Sequence, residues 1–196
     1  MKKDSINDRK GKIIVLSAPS GSGKSTIIGK LMEKPDLRLG FSISATSRLP
    51  RGEEKHGKEY FFMTEAEFKE NVAKGNFVEW EEVYACVCYG TLVSEVERIT
   101  GRGDNLIMDV DVKGALSIKQ RFGDEALLLF IMPPDRQTLE LRLRNRGTDS
   151  EETILKRLQK SEYEMGFADK FDCRVINDNL ERAVTETEKL IREFVS

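Results

Sequence analysis

Ala18-Pro19-Ser20-Gly21-Ser22-Gly23-Lys24-Ser25-Thr26 joins a continuous aliphatic run, Ile13 to Leu16, to a stretch with Ile27, Ile28, Leu31 and Met32 at helical spacing. Small residues at such a junction let successive backbone N–H groups converge on one point at a helix N-terminus. The helix dipole favours an anion there, so the segment is suited to cradling phosphate. Lys24 adds a cation beside those amides, and Ser25 adds a hydroxyl suited to Mg²⁺. The run departs from G-x-x-x-x-G-K-[ST] only in Ala18, which replaces the first glycine. Alanine fits that place where φ is negative. A ligand-free turn explains the glycines, but it does not require Gly-Lys-Ser at its helical end.

A second group of chemically able residues follows. Thr46-Ser47-Arg48-Leu49-Pro50-Arg51 sets two guanidinium groups three residues apart, with Glu54, Gly57 and Tyr60 downstream. Bidentate arginine suits a dianionic phosphate, and a phenol hydroxyl adds a neutral donor. A basic surface turn explains the arginines but not the tyrosines. Asp109 and Asp111 stand two residues apart at the end of an apolar run. That spacing places both side chains on one sheet face, where a carboxylate can organise Mg²⁺ and its waters. A strand-end aspartate is also often a helix cap or turn residue, a reading that stays open for Asp109. Asp111 lies nearer the strand's carboxyl edge. Arg142 and Arg146 are four apart on one helix face, and Arg157 follows beyond Gly147, so together they can surround a polyphosphate.

These residues need elements to hold them. Ile13 to Leu16, Leu106 to Val110, Leu127 to Met132 and Cys173 to Ile176 read as buried strands, each trailed by helical periodicity. Strands alternating with helices predict an α/β chain with a three-layer, doubly wound parallel sheet as its core. About 75 residues separate the first helix from Leu106, more than an ordinary crossover, so that stretch carries structure of its own. Within it, Ser42 to Thr46 and Phe77 to Val83 read as strands. Thr64-x-x-Glu67 before Phe68 and Val72 reads as a capped helix. The result is a small mixed α/β lobe, about residues 42–91, inserted into a core of about residues 11–41 and 92–196. Thr148 and Asp149 each stand three residues before an acidic residue, so either is placed to cap the helix carrying Ile154, Leu155 and Leu158. Residues 1–10 read as a polar tail.

From Thr46 to Phe62 the chain satisfies T-[ST]-R-x2-[KR]-x2-[DE]-x2-G-x2-Y-x-[FY] throughout and so resembles the guanylate kinase family. The resemblance continues through Phe77-Val78-Glu79-Trp80, Tyr89-Gly90-Thr91, Asp109-Val110-Asp111, Asn145-Arg146-Gly147-Thr148, Lys156-Arg157-Leu158 and Asn177-Asp178. It implies phosphoryl transfer from ATP to GMP with Mg²⁺, the inserted lobe binding GMP. A helical lid of about residues 142–160, carrying Arg146 and Arg157, would close over ATP. It implies that Arg48, Arg51, Tyr60 and Tyr89 hold the GMP phosphate and that Ser44, Glu79, Gly90 and Thr91 line the base. Asp109, Asp111 and Arg157 would lie near the transferred group. Lys24, Arg48, Asp111, Arg146 and Arg157 would be catalytic, Arg142 and Arg146 would bind ATP, and Asn177 would lie on the adenine side. Read without the family, Glu79 is an edge-strand glutamate facing solvent, and Asn177 is a buried cap. Two departures from the family pattern are Glu53, where glycine is frequent, and Ala85-Cys86-Val87-Cys88 before Tyr89.

The remaining composition narrows the alternatives. With 32 Lys and Arg against 34 Asp and Glu, the net charge of -2 argues against nucleic acid as the main ligand. No apolar run approaches a membrane span or a secretion signal, so a cytoplasmic location is expected. Cys86, Cys88, Cys173 and the single His56 have neither disulfide nor zinc spacing and read as reduced thiols and a bystander. A homodimer stays open. The rival reading, a non-enzymatic guanylate-kinase-like module that binds protein, fits poorly with an intact phosphate loop.

Overall fold

The computed structural model of the chain describes residues 10–84, 87–145 and 150–196. Its core is a parallel five-stranded sheet in the order β2-β7-β1-β8-β9. These strands are β1 (Ile13–Ser17), β2 (Leu39–Phe41), β7 (Asn105–Asp109), β8 (Ala126–Met132) and β9 (Cys173–Ile176). Alternate residues face opposite layers, as the period of two requires. Ile13, Val15, Met108, Leu128 and Phe130 pack towards α3 (Val93–Thr100) and α4 (Val112–Phe122). Ile14, Leu16, Ile107, Leu129 and Ile131 pack towards α1 (Lys24–Met32) and α7 (Leu180–Val195). The central strands are therefore apolar on both faces through their middles, with polar residues only at their ends, Ser17 in β1 and Asn105 and Asp109 in β7, and the expected three layers are present.

The second sheet has the order β4-β3-β6-β5. Its strands are β3 (Ala45–Thr46), β4 (Phe61–Phe62), β5 (Phe77–Tyr84) and β6 (Val87–Leu92), and it is mixed, with β3 parallel to β4 and antiparallel to β6. Its small core joins Ala45, Phe77 and Cys88 to Phe68 of α2 (Glu65–Ala73), with the Phe68 and Phe77 rings stacked 4.4 Å apart. The capping box at Thr64 forms as expected: the hydroxyl accepts from Glu67 N at 3.2 Å, and the Glu67 carboxylate accepts from Thr64 N at 2.7 Å. Gly90 is required by packing, because a Cβ there would lie 2.7 Å from Glu79 O and 2.8 Å from Trp80 Cβ.

Three expectations need correction. Ser42 to Thr46 is not one strand. Ser42 N donates to Ile107 O at 3.4 Å and Ile43 N to the buried Glu95 carboxylate at 3.0 Å. The chain thus leaves the core sheet after Phe41 and pairs again only at Ala45. Asp109 and Asp111 do not share a strand face, because β7 ends at Asp109. Asp111 caps α4, its Oδ1 accepting from Gly114 N at 2.6 Å. The helix α6 (Glu151–Met165) is capped by Ser150, whose Oγ accepts from Thr153 N at 3.3 Å. An N-cap must directly precede the first helical residue; Thr148 and Asp149 lie outside the described residues.

Candidate active site

Strands β1 and β7 are neighbours, with Leu16 opposite Asp109, so the loop after β1 and the end of β7 meet at the carboxyl edge of the sheet. The order of connections reverses at β1, the place where open α/β sheets bind ligands. A cavity of about 400 Å³ opens there, lined by Ala18 to Thr26, Asp109, Val110, Asp111, Lys160 and Glu164. Lys24 opens α1, and its ammonium contacts the Asp109 carboxylate and donates to Val110 O at 3.4 Å. Ala18 has no positive φ; among the described non-glycine residues only Arg38 does, so alanine fits the first position of the loop as expected.

Elements distant in sequence hold this loop. Asn177 follows β9, is buried, and donates from Nδ2 to Ser22 O at 2.7 Å. Arg142, on α5 (Arg136–Arg144), donates from Nη2 to Asn177 O at 2.8 Å. Its Nη1 is buried without a hydrogen-bond partner among the described residues. Arg157 Nη1 donates to Ser20 Oγ at 3.1 Å. Burial raises the Glu164 carboxyl above the ordinary glutamate range, although Lys160 and Lys24 oppose this. Gly23 has φ 89°, and a Cβ on it would collide with Asn177 Nδ2. Gly23→Ala is therefore expected to cost about 1–3 kcal/mol of stability and to weaken ATP binding, which thermal melts and ATP titration would register. A melt and an ATP affinity unchanged from wild type would remove Gly23 from this role.

Two further cavities adjoin the first. One of about 110 Å³ is lined by Ser44, Glu79, Glu81, Tyr89, Gly90 and Asp109 to Asp111. The other, of about 370 Å³, is lined by Phe41, Ser42, Ser44, Glu59, Tyr60, Tyr89 and Asp109. Asp109 lines all three. Glu79 on β5 pairs in register with the buried Thr91 on β6. Burial lifts the Glu79 carboxyl to about 7; Thr91 offsets part of the rise and Asp111 adds to it. The Thr91 hydroxyl is buried and forms no well-formed hydrogen bond among the described residues. Glu81, two residues along the same strand, is raised by burial and by the neighbouring Asp111 carboxylate.

Arg48 lies against the two tyrosines. Its guanidinium sits over the Tyr60 ring at 4.9 Å and donates from Nε to the Tyr89 hydroxyl at 3.1 Å. It also forms a two-point ion pair with Glu54, at 2.6 and 2.8 Å. That pairing holds Glu54 down at about 2 and pushes Arg48 further up. Arg51 is exposed, and Arg146 lies outside the described residues.

The structure thus gathers Lys24, Asp109 and Asp111 around one cavity, with Arg157 bonded to Ser20 of its lining, and Ser44, Glu79, Tyr60 and Tyr89 around the other two. Glu81, Lys160 and Glu164 line them as well and were not anticipated. Arg157, Lys160 and Glu164 recur at i, i+3 and i+7, a stripe the sequence carried on α6 but hid among other charges. Among the described residues no group of three or more His, Cys, Asp or Glu is placed to hold a metal. The oxygen donors Ser25 and Asp111 still fit Mg²⁺, which characteristically keeps waters and takes few protein ligands beside substrate phosphates.

The guanylate kinase family model matches residues 10–194. The chain is 52% identical over 185 residues to the guanylate kinase of Porphyromonas gingivalis, covering 94% of this chain and 98% of that one. It is 50% identical over 192 residues to the guanylate kinase of Bacteroides thetaiotaomicron, covering 98% and 94%. The crystal structure of guanylate kinase from Anaplasma phagocytophilum superposes with a TM-score of 0.73 at 27% identity, covering 97% of this chain and 89% of that one. A family match running almost from end to end, at half identity to two bacterial members, places this chain in the guanylate kinase family.

Proposed function

We propose that the chain transfers the terminal phosphoryl group of ATP to GMP, giving ADP and GDP. The observation that carries this reading is that Asp109 lines all three cavities, which sets the phosphate loop beside a pocket lined by the half-buried Glu79. The loop amides, Lys24 and Arg157 serve the ATP phosphates, with Arg142 and Asn177 on the adenine side. Tyr60, Tyr89, Arg48 and Arg51 serve the GMP phosphate, while Ser44, Glu79 and Thr91 face the base.

Phosphoryl transfer needs alignment and charge stabilisation more than covalent help, so no general base has to be found. Mg²⁺ would supply charge neutralisation for the phosphates, and Ser25 and Asp111 would be the residues that hold it. Arg146 joins Arg157 in a lid of about residues 142–160 that shuts water from the transfer. A protein-binding role without catalysis would leave the Lys24 and Asp109 contact with no purpose.

No described helix is long and apolar enough to cross a membrane. ADP release measured across GMP, dGMP, AMP, CMP and UMP tests the reading. Turnover is expected with GMP, and with dGMP as a secondary acceptor; a preference for any other base, or no turnover at all, would overturn it.

A further inference from the structure

Arg48 is held in a way that fixes which of its hydrogens can meet a substrate. A guanidinium carries five N–H donors in a rigid plane. The end pair, one on Nη1 and one on Nη2, goes to Glu54 at 2.6 and 2.8 Å. The outer Nη1 hydrogen goes to Leu49 O at 3.0 Å, and the Nε hydrogen to the Tyr89 hydroxyl at 3.1 Å. One hydrogen is left among the described interactions, the Nη2–H on the same edge as Nε. It stands beside Tyr89, whose oxygen already accepts and whose own proton is therefore free to be donated.

We propose that Glu54 is a positioning residue for the acceptor phosphate: it grips Arg48 by the far edge and so presents Nη2–H and the Tyr89 hydroxyl as one paired donor. This rests on the proposed GMP kinase activity and goes beyond it by assigning Glu54 a role and Arg48 an orientation.

The opposite possibility is that Glu54 occupies the phosphate's place and is displaced by it. The geometry disfavours this. Glu54 also accepts from the Arg51 amide at 2.8 Å, so displacement would break three charge-assisted bonds at once. The pair is well enclosed, with Arg48 and Glu54 side chains 10% and 23% exposed, so the carboxylate would be left poorly solvated and facing a dianion. With Arg48 held between them, the carboxylate and the phosphate instead share one cation. Tyr60 and Phe62, under the guanidinium at 4.9 and 5.5 Å, keep its plane from turning.

The two arrangements predict opposite signs. Calorimetric binding of GMP and of guanosine, with KM for ATP, would be compared in the wild type, Glu54→Gln, Arg48→Ala and the double variant. Glu54→Gln is expected to weaken GMP by about 10- to 100-fold, the range set by one or two hydrogen bonds to a charged group. Guanosine affinity and KM for ATP should stay within about twofold, because neither ligand meets this pair. The double variant should bind GMP no more weakly than Arg48→Ala, since Glu54 acts through Arg48. Glu54→Asp, which keeps the charge, should fall between the wild type and Gln and serves if Gln fails to fold. Tighter or unchanged GMP binding in Glu54→Gln, or losses that simply add in the double variant, would overturn the inference alone. A wild type that does not bind GMP would sink the proposed activity with it.

Discussion

Lys24→Ala should lower kcat/KM for ATP by about a thousandfold, the scale on which a preorganised donor to a transferring group acts, while GMP affinity measured by calorimetry stays within about twofold. Lys24 is the cation at the centre of the phosphate-loop cavity, and in the free protein its charge is lodged against Asp109 and Val110 O. Both contacts are to groups that line the path of transfer, so the ammonium is already aimed at it. ATP phosphates have only to replace one carboxylate as its partner. Removing it also leaves Asp109 without its cation beside incoming negative charge, so the loss should fall on ATP and on turnover together. The acceptor cavities share Asp109 with the loop cavity, but their tyrosines and Glu79 lie on the inserted lobe and make no contact with Lys24 among the described interactions. Normal ATP-dependent rates in this variant would refute the assignment.

Glu79→Gln should collapse the preference for GMP over AMP, chiefly through lost GMP activity. Guanine offers two adjacent donors, N1–H and the 2-amino group, and an ionised carboxylate accepts both. Adenine presents an acceptor at N1 and would leave the carboxylate desolvated. Sites that strand polar groups in this way discriminate by about 10⁴ or more. IMP, which keeps N1–H but lacks the amino group, should fall between the two. The check is kcat/KM for the three acceptors with both proteins; an unchanged GMP to AMP ratio would take Glu79 out of the site.

The raised Glu79 carboxyl adds a pH signature. At about 7 it is half protonated near neutrality, and the protonated form cannot accept both donors. GMP binding should therefore weaken on acidification, by up to about tenfold per pH unit below 7. Stability should move the other way. The folded-state value lies above the ordinary 4.5, so the proton on Glu79 favours the fold fully below 4.5 and that help is lost as pH rises through 7. Thermal melts of wild type relative to Glu79→Gln across this window would show it, and parallel slopes for the two proteins would contradict it.

Much of this site was legible because its chemistry is local. The phosphate loop lies in consecutive residues between a strand and a helix whose periods are unambiguous, and Thr64 to Glu67 is a self-contained cap. What stayed hidden depends on contacts across the chain. Leu39-Gly40-Phe41 is too short to show a strand period and is recruited only by pairing with β7. Asp111 looks like a strand residue until the helix it caps is in place. Arg48 is suited to phosphate by residue type, but its tie to Glu54 depends on how the turn between them folds. Lys160 and Glu164 reach the cavity because α6 lies across it, which no spacing within α6 alone announces. The domain limits and the lid remain assignments of sequence pattern, with Arg146 beyond the described residues.

The bond from Asn177 to Ser22 spans 155 residues and has a bearing on the order of events during synthesis. The phosphate loop leaves the ribosome well before the strand that precedes its brace. Until β9 docks beside β8, Ser22 lacks its support and the loop has the sequence of a nucleotide site without its rigidity. ATP therefore cannot lock a half-made chain in place, and its full affinity arrives only with the completed sheet. Nucleotide binding then acts as a late seal on the native topology rather than as a nucleus for it.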